Sequence, residues 1–459
     1  MNTSSIGTNL SHCSSLASRP PQEPNDVSQL IHSIATIALE PPKEPQVFFS
    51  ILNKDIHLHL SHFLNPVEQQ TLSAVSPDFF IAQANNNCLL EELCSPPELI
   101  KHLRQHGNKI HSLNLAGLDF ELAYQLLKYC PNAEKLTLTK VTDDNIEQLL
   151  QHGDSLKSLT SLHLTHGSIS AKGAAKLASS ENLKSLTSLD LSSNDIGAGG
   201  ATALASSENC RSLTYLNLSY NKIGDDGATA LVLSQYLTSP TFLDLSFNTL
   251  INKGIIALAS SENCRSLTVL NLSYNYIGVK GVTALASSEN LKSLTVLNLS
   301  NNEIGNDGAT ALALSQHLTS LTSLNLSDNL IGDRGTTALA SSENCRSLTV
   351  LNLSHNEICD EGTTTLASSE NCTSLTYLNL SCNKIGDKGT MALALSRHLT
   401  SLTYLDLFNN KISVDSAKAL ASSLYCRSLV FLYLGENSIT PAEETSILSI
   451  KRQFLKIAF

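Results

Sequence analysis

From about residue 155 onward the apolar positions of the chain keep a single register. Leucines come as L-x-x-L-x-L, as in Leu213, Leu216 and Leu218, and are followed by Asn221, Ile223, Gly224, Gly227, Ala230 and Leu231. Asn recurs at 194, 221, 248, 275, 302, 329, 356, 383, 410 and 437, a spacing of 27 residues without slippage. The alternation of Leu216 and Leu218 has the period of a short strand, whereas Ala230, Leu231 and Leu233 suit one face of a helix. Each unit is therefore predicted to run strand, turn, helix. No such unit can bury its own leucines, so the units must stack.

The polar positions fit the same scheme. The recurring Asn is placed to bond backbone groups of neighbouring coils where the strand ends, and the glycines permit close or left-handed backbone at the turn. Asp225, Asp333, Asp360 and Asp387, with Asn252 and Asn306, recur where a helix begins and are expected to cap it. Leu233-Ser234-Gln235, Leu314-Ser315-Gln316 and Leu395-Ser396-Arg397 return every 81 residues, which points to growth by duplication of three units.

At the edges the pattern weakens. Leu162 to Gly167 lacks the Asn, and Leu136 to Val141 and Leu113 to Leu118 are fainter still, so the array is expected to begin near residue 107. Thr440, Pro441, Glu443 and Glu444 predict a helix start, followed by Ile447, Leu448, Ile450, Phe454 and Leu455. The expected organisation is a largely disordered tail over 1–45, a helical module over 46–95, a linker helix with degenerate repeats over 96–165, regular repeats over 166–437 and a C-terminal capping helix over 438–459. In the module, Leu52, Ile56, Leu60, Phe63 and Leu64 make one apolar helical stripe. Asn65, Pro66 and Glu68 open a second helix, and Ser76-Pro77 punctuates a third. Three helices this short have too little apolar volume to stand alone, so their faces want a partner or the neighbouring array.

The repeat resembles the ribonuclease-inhibitor-like class of leucine-rich repeats. That resemblance implies an α/β solenoid, a horseshoe with a parallel concave sheet and outer helices. Residues 52–80 resemble the F-box motif. Leu52 takes its first position, Asp55 the acidic one, Ile56 the next aliphatic, Leu60, Phe63 and Leu64 the rest of the first helix, and Val75, Ser76 and Phe79 the end. Asn53 stands where the family has Pro, His57 where it has Leu and Gln69 where it has an aliphatic. The F-box resemblance implies docking on Skp1, or a Skp1-like adaptor, of a cullin ubiquitin ligase through Leu52, Asp55, Ile56, Leu60, Phe63, Leu64, Val75 and Phe79, with the repeats holding a substrate protein. The two modules together resemble the GALA family of secreted bacterial effectors, which implies host cytoplasm as the place of action. An alternative reading makes residues 50–80 an N-terminal cap on a binding or regulatory solenoid, such as an inhibitor or small-GTPase regulator.

Composition trims the remaining choices. A net charge of −11 with scattered basic residues argues against nucleic acid as ligand. No apolar run reaches the length of a membrane span, and the first residues show no charged n-region with an apolar core, so neither membrane insertion nor a cleaved secretory signal is expected. Cys210, Cys264, Cys345, Cys372 and Cys426 fall where other repeats hold Leu, which reads as small buried hydrophobes in a reducing cytoplasm. His57, His59, His62, His102 and His106 lack a completing carboxylate or thiolate, and no phosphate-binding loop occurs, so an enzyme, a metal and a cofactor are not expected. The chain is expected to be a monomer.

Candidate binding residues are the strand positions beside the buried leucines, which point out of the sheet. The position between the leucines is monotonous, Asp or Asn in every repeat from Asp190 to Asp406. Aromatics gather elsewhere: Tyr215 and Phe242 with Tyr220, Phe247 and Tyr274 form one cluster, and Tyr377, Tyr404, Phe431 and Tyr433 another. Strands ~4.8 Å apart would make each a continuous patch able to anchor a partner, although aromatics also serve as plain strand residues.

Overall fold

The computed structural model describes residues 110–151, 153–450 and 455–459, with Arg104 and Asn108. They all fall within one compact unit, Ala84–Phe459. The F-box-like residues Leu52, Asp55, Ile56, Leu60, Phe63, Leu64, Val75 and Phe79 lie outside the described residues, as do the tail 1–45 and His57, His59, His62, His102 and His106.

The leucine alternation does form strands, and they join into one parallel sheet in chain order. It opens with β1 (Ser112–Asn114), β2 (Lys135–Thr139), β3 (Ser161–Thr165), β4 (Ser188–Asp190), β5 (Tyr215–Asn217), β6 (Phe242–Asp244) and β7 (Val269–Asn271). It continues with β8 (Val296–Asn298), β9 (Ser323–Asn325), β10 (Val350–Asn352), β11 (Tyr377–Asn379), β12 (Tyr404–Asp406), β13 (Phe431–Tyr433) and β14 (Lys456–Ala458). Register is set by the repeat, with Leu189 opposite Leu216 and Leu216 opposite Leu243. Each coil returns through a short helix such as Gly197–Ala205 or Asn252–Ser260. The result is a solenoid with strands on one face and helices on the other.

Between the layers lies one continuous core. Leu189 and Leu191 of the strand side, Ile196 of the turn, and Ala201 and Leu204 of the helix are all buried. Cys210, Cys264, Cys345, Cys372 and Cys426 are buried at the leucine position, and all are free thiols. Burial pushes the Cys264 thiol up to about 12 and the Cys210 thiol up to about 11. Leu233 differs from expectation. Its helix ends at Val232, which takes the buried place, and Leu233 is left 63% exposed beyond it.

Three ladders of polar groups tie the coils. Asn221 Nδ2 donates to Leu191 O (2.8 Å) in the preceding coil and Leu218 O (3.1 Å) in its own, while its Oδ1 accepts the preceding Ile196 N–H (3.2 Å). Ser288 Oγ donates to Ala259 O at 2.5 Å, and its counterparts in neighbouring coils do likewise. Thr214, Thr241 and Thr268 hydroxyls donate to the carbonyl of the corresponding Thr one coil back.

The helix caps work between coils rather than within them, which corrects the expectation for Asp225, Asp333, Asp360, Asp387, Asn252 and Asn306. Asp333 Oδ1 accepts Cys359 N–H (2.8 Å) and Gly362 N–H (2.9 Å) of the next coil, and Asn252 Oδ1 accepts Gly278 N–H (3.2 Å) and Gly281 N–H (2.7 Å). Asp333 is itself the first helical residue, so its side chain lies beside the neighbouring helix start. The close approach needs glycine, because a Cβ at Gly281 would stand 2.9 Å from Asn252 Oδ1. Gly197, Gly224 and Gly305 take left-handed backbone at the turn, at φ 59 to 60°.

The C-terminal segment also departs from a single helix over 438–459. A helix spans Pro441–Leu448, its Thr440 N–H bound to Glu443 Oε2 at 2.8 Å, and the chain then adds β14 to the sheet. Lys456 N–H donates to Val430 O (2.7 Å) and Leu434 N–H to Ala458 O (2.8 Å). Those bonds satisfy backbone groups of the β13 coil that a helix could not reach.

Candidate functional site

The side chains that flank the buried leucines leave the sheet on the side away from the helices, and they form parallel rows because each coil repeats the last. In the row before the first leucine, Tyr215 and Phe242 stack with centroids 4.1 Å apart and planes at 11°. His163, opposite Asp190 in β3, continues that stack at 6.5 Å from Tyr215. Two residues past the second leucine, Phe247 and Tyr274 stack at 3.9 Å, and Tyr220 tilts against Phe247 at 4.9 Å. At the other end Tyr377 and Tyr404 stack at 4.3 Å, with Tyr433 and Phe431 at 5.3 and 6.3 Å from Tyr404. All nine aromatics singled out in the sequence therefore stand in stacked or tilted contact, in two separate stretches of sheet.

The outer row carries a feature invisible in the pattern. Tyr220, Phe247 and Tyr274 have φ of 60, 54 and 53°, as do Ser193, Asn301, Asp328, Asn409 and Glu436 at the same repeat position within a few degrees. Left-handed backbone costs a Cβ-bearing residue ~1–2 kcal/mol, and Asn or Asp tolerate it best. The rings are 59%, 39% and 47% exposed, so burial does not offset that cost. Serine and glutamate fill the slot elsewhere, so the fold does not require an aromatic there.

Between the leucines runs a row of Asp and Asn whose Oδ1 accepts the N–H two residues on, at 2.9 Å for Asp190 with Ser192 and 3.0 Å for Asn217 with Ser219. Asp190 and Asp244 receive a further bond from Asn217 and Asn271 of the next coil. Burial holds the Asp244 and Asp406 carboxyls above their ordinary range despite these bonds. Burial also raises the Tyr215 phenol, with Asp190 and Asp244 adding to it, and burial raises Tyr404 and Tyr433 beside Asp406. These phenols are therefore held in their neutral form. The ladder serines spend their hydroxyls on carbonyls, and among the described residues no group of three metal-ligating side chains forms.

A family model described as "Leucine Rich repeat" matches ten successive segments, from 155–178 and 182–205 through 371–394 and 398–421, together half of the chain. The chain belongs to the leucine-rich-repeat family. Among solved structures the leucine-rich-repeat array is similar to an internalin of Listeria monocytogenes, with 21% identity over 82% of this chain and 93% of that one, at a TM-score of 0.49. A leucine-rich-repeat protein of Leptospira interrogans matches at 20% identity over 78% and 98%, with a TM-score of 0.39. A plant peptide hormone receptor in complex with its peptide matches at 19% identity over 74% and 64%, with a TM-score of 0.31. A search of curated proteins finds no match.

Sequence reasoning missed several members of the leucine-rich-repeat face. His163 was legible from its register between Leu162 and Leu164, which is that of Asp190 one coil later. Tyr276 and Leu330, 57% and 63% exposed just beyond the strands, interrupt an otherwise polar position and had that signal.

Proposed function

We propose that this protein is a binding adaptor that holds a substrate protein on the open face of its sheet and docks a Skp1-like adaptor of a cullin ubiquitin ligase through its F-box-like segment. The observation that carries the binding half is the stacking of two aromatic patches on that face, one of them with exposed rings at a position that Ser, Asn, Asp and Glu fill in other coils. The ligase half is supported by the sequence alone, from Leu52 through Phe79. Free, buried cysteines at leucine positions support a reducing cytoplasm, that of a host if the protein is a secreted effector. A monomer is the expected working form.

Pull-down with purified Skp1 tests the ligase half. Binding by the wild type that disappears when Leu52, Ile56 and Leu60 become Asp is the expected result. No binding by the wild type, or equal binding by the variant, sinks it and leaves a binding solenoid capped by residues 50–80. For the C-terminal patch, Tyr377, Tyr404 and Phe431 changed together to Ala should abolish substrate capture. Unaltered capture discards that patch.

A further inference from the structure

We propose that the first aromatic patch, over β4 to β7, is a docking subsite for a cationic side chain, arginine above all, of the protein held on the sheet. This rests on the binding role proposed above and adds the chemistry of what is bound.

The middle row makes the case. Asn217, Asn271, Asn298, Asn325, Asn352 and Asn379 each satisfy the N–H two residues on and carry no charge. Asp190 and Asp244 perform the same backbone task, so their charge adds nothing to it. Apart from Asp406, which lies in the second patch, the Asp of this row stand only beside the Tyr215–Phe242 stack. The second oxygen of each receives a neutral amide, Asn217 at 3.0 Å for Asp190 and Asn271 at 2.8 Å for Asp244. The nearby lysines are bonded elsewhere, Lys222 to Asp195 and Lys253 to Asp226. His163 faces Asp190 from β3, while Asp244 lies between Asn217 and Asn271.

The two carboxylates are two strands apart, about 9–10 Å, and successive same-face positions on a strand are ~6–7 Å apart. The acidic row thus runs between the Tyr215–Phe242 stack on one side and the exposed row of Tyr220, Phe247 and Tyr274 on the other. A guanidinium lies flat on an aromatic face, and here its charge would also meet the half-buried Asp244 and the buried Asp190 beside the rings, so it uses both surfaces at once. The chain's charge of −11 favours such a partner. The second patch already has a cation of the chain's own, Lys456 Nζ 5.7 Å from the Phe431 centroid, which shows a ring of this row taking one. Between the patches, β7 to β10 offer Val or Ser with uncharged Asn.

The test uses the full chain and short fluorescent Gly/Ser peptides bearing arginines, glutamates or leucines, read by anisotropy across a salt series. The arginine peptide should bind best, weaken with salt, and lose at least about tenfold in affinity in the Asp190→Asn/Asp244→Asn double variant. Asn is native at this position in other coils, so the fold should survive, which a thermal melt checks. Thr202→Ala, on the outer helix Gly197–Ala205 and away from both patches, should leave the affinity unchanged. Equal binding by the double variant, or no preference for the arginine peptide, overturns the cationic assignment. If leucine or glutamate peptides bind and Tyr215→Ala/Phe242→Ala abolishes that binding, the face still binds protein and only this inference falls. If ring substitutions in both patches alter no peptide's binding, the binding role of the face falls as well.

Discussion

Asn248 is fully buried and is the clearest place to measure what one rung of the Asn ladder contributes. Its Oδ1 accepts Asn221 N–H at 3.0 Å and Ile223 N–H at 3.1 Å, both in the preceding coil. Its Nδ2 donates to Leu218 O at 2.8 Å and to Ser246 O at 3.0 Å. In Asn248→Ala the two buried N–H groups lose their acceptor, at about 2 kcal/mol each. Leu218 O keeps the Asn221 amide as a donor, so its loss is smaller. The sum is about 4 kcal/mol, and entry of a water would bring it to roughly 3 kcal/mol. Because each coil touches only its neighbours, the loss should be local. Native-state hydrogen exchange is therefore the assay, since a long array need not unfold in one step. Exchange at Asn221 and Ile223 should accelerate by two orders of magnitude or more, while amides near Asn410 hold their protection. Thr214→Ala, which removes one exposed ladder hydroxyl, serves as control with an expected loss of about 0.5–1 kcal/mol. A loss below about 1 kcal/mol in Asn248→Ala, or one spread evenly along the chain, would refute the ladder as the bond between coils.

Gly281→Ala should cost about 1–3 kcal/mol in thermal melts, because its Cβ would meet Asn252 Oδ1 and Ile277 Cγ2 at 2.9 Å; an unchanged melting temperature contradicts the close-approach argument. Changing Tyr220, Phe247 and Tyr274 to Asn should hold or raise stability, by up to about 1 kcal/mol per site, while weakening partner capture; a large stability loss would mean the rings hold the fold instead. The folded Asp244 carboxyl is raised by burial, so its stabilising share is present below the unfolded pKa of about 3.9 and lost as pH rises through the folded value. Asp244→Asn should accordingly be more stable than the wild type at pH 7, with the gap closing near pH 4, and a gap that widens on acidification would reverse the sign. Iodoacetamide at pH 8 should label Cys359 and Cys382 well before Cys210 and Cys264, as peptide mass spectrometry would read, and rapid native labelling of Cys264 would contradict its burial.

Much of the fold was legible because it is a period. Leu216 and Leu218 specify a strand and Gly227 with Leu231 a helix, and repetition in register leaves parallel stacking as the way to bury both. The Asn ladder was legible too, since a buried amide at the end of each strand from β4 to β12 has few partners besides adjacent backbone. The aromatic patches could be located by counting residues, because neighbours in the sheet are 27 apart.

What the sequence by itself determined, then, is the repeating coil and which side chains share a row. The tertiary structure decided which coil each polar group serves. Asp333 looks like a cap for its own helix, yet its carboxylate reaches Cys359 and Gly362, because a side chain on the first helical residue lies nearer the next coil's free N–H groups than its own. It decided that Tyr220, Phe247 and Tyr274 sit in left-handed backbone, since that φ follows from the turn closing against the neighbouring strand and not from residue type. It also decided that Lys456–Ala458 completes the sheet, because an unpaired strand edge draws in whatever backbone lies within reach. In each case the deciding contact joins residues about one repeat apart, where periodicity tells that coils meet and only packing tells with what offset.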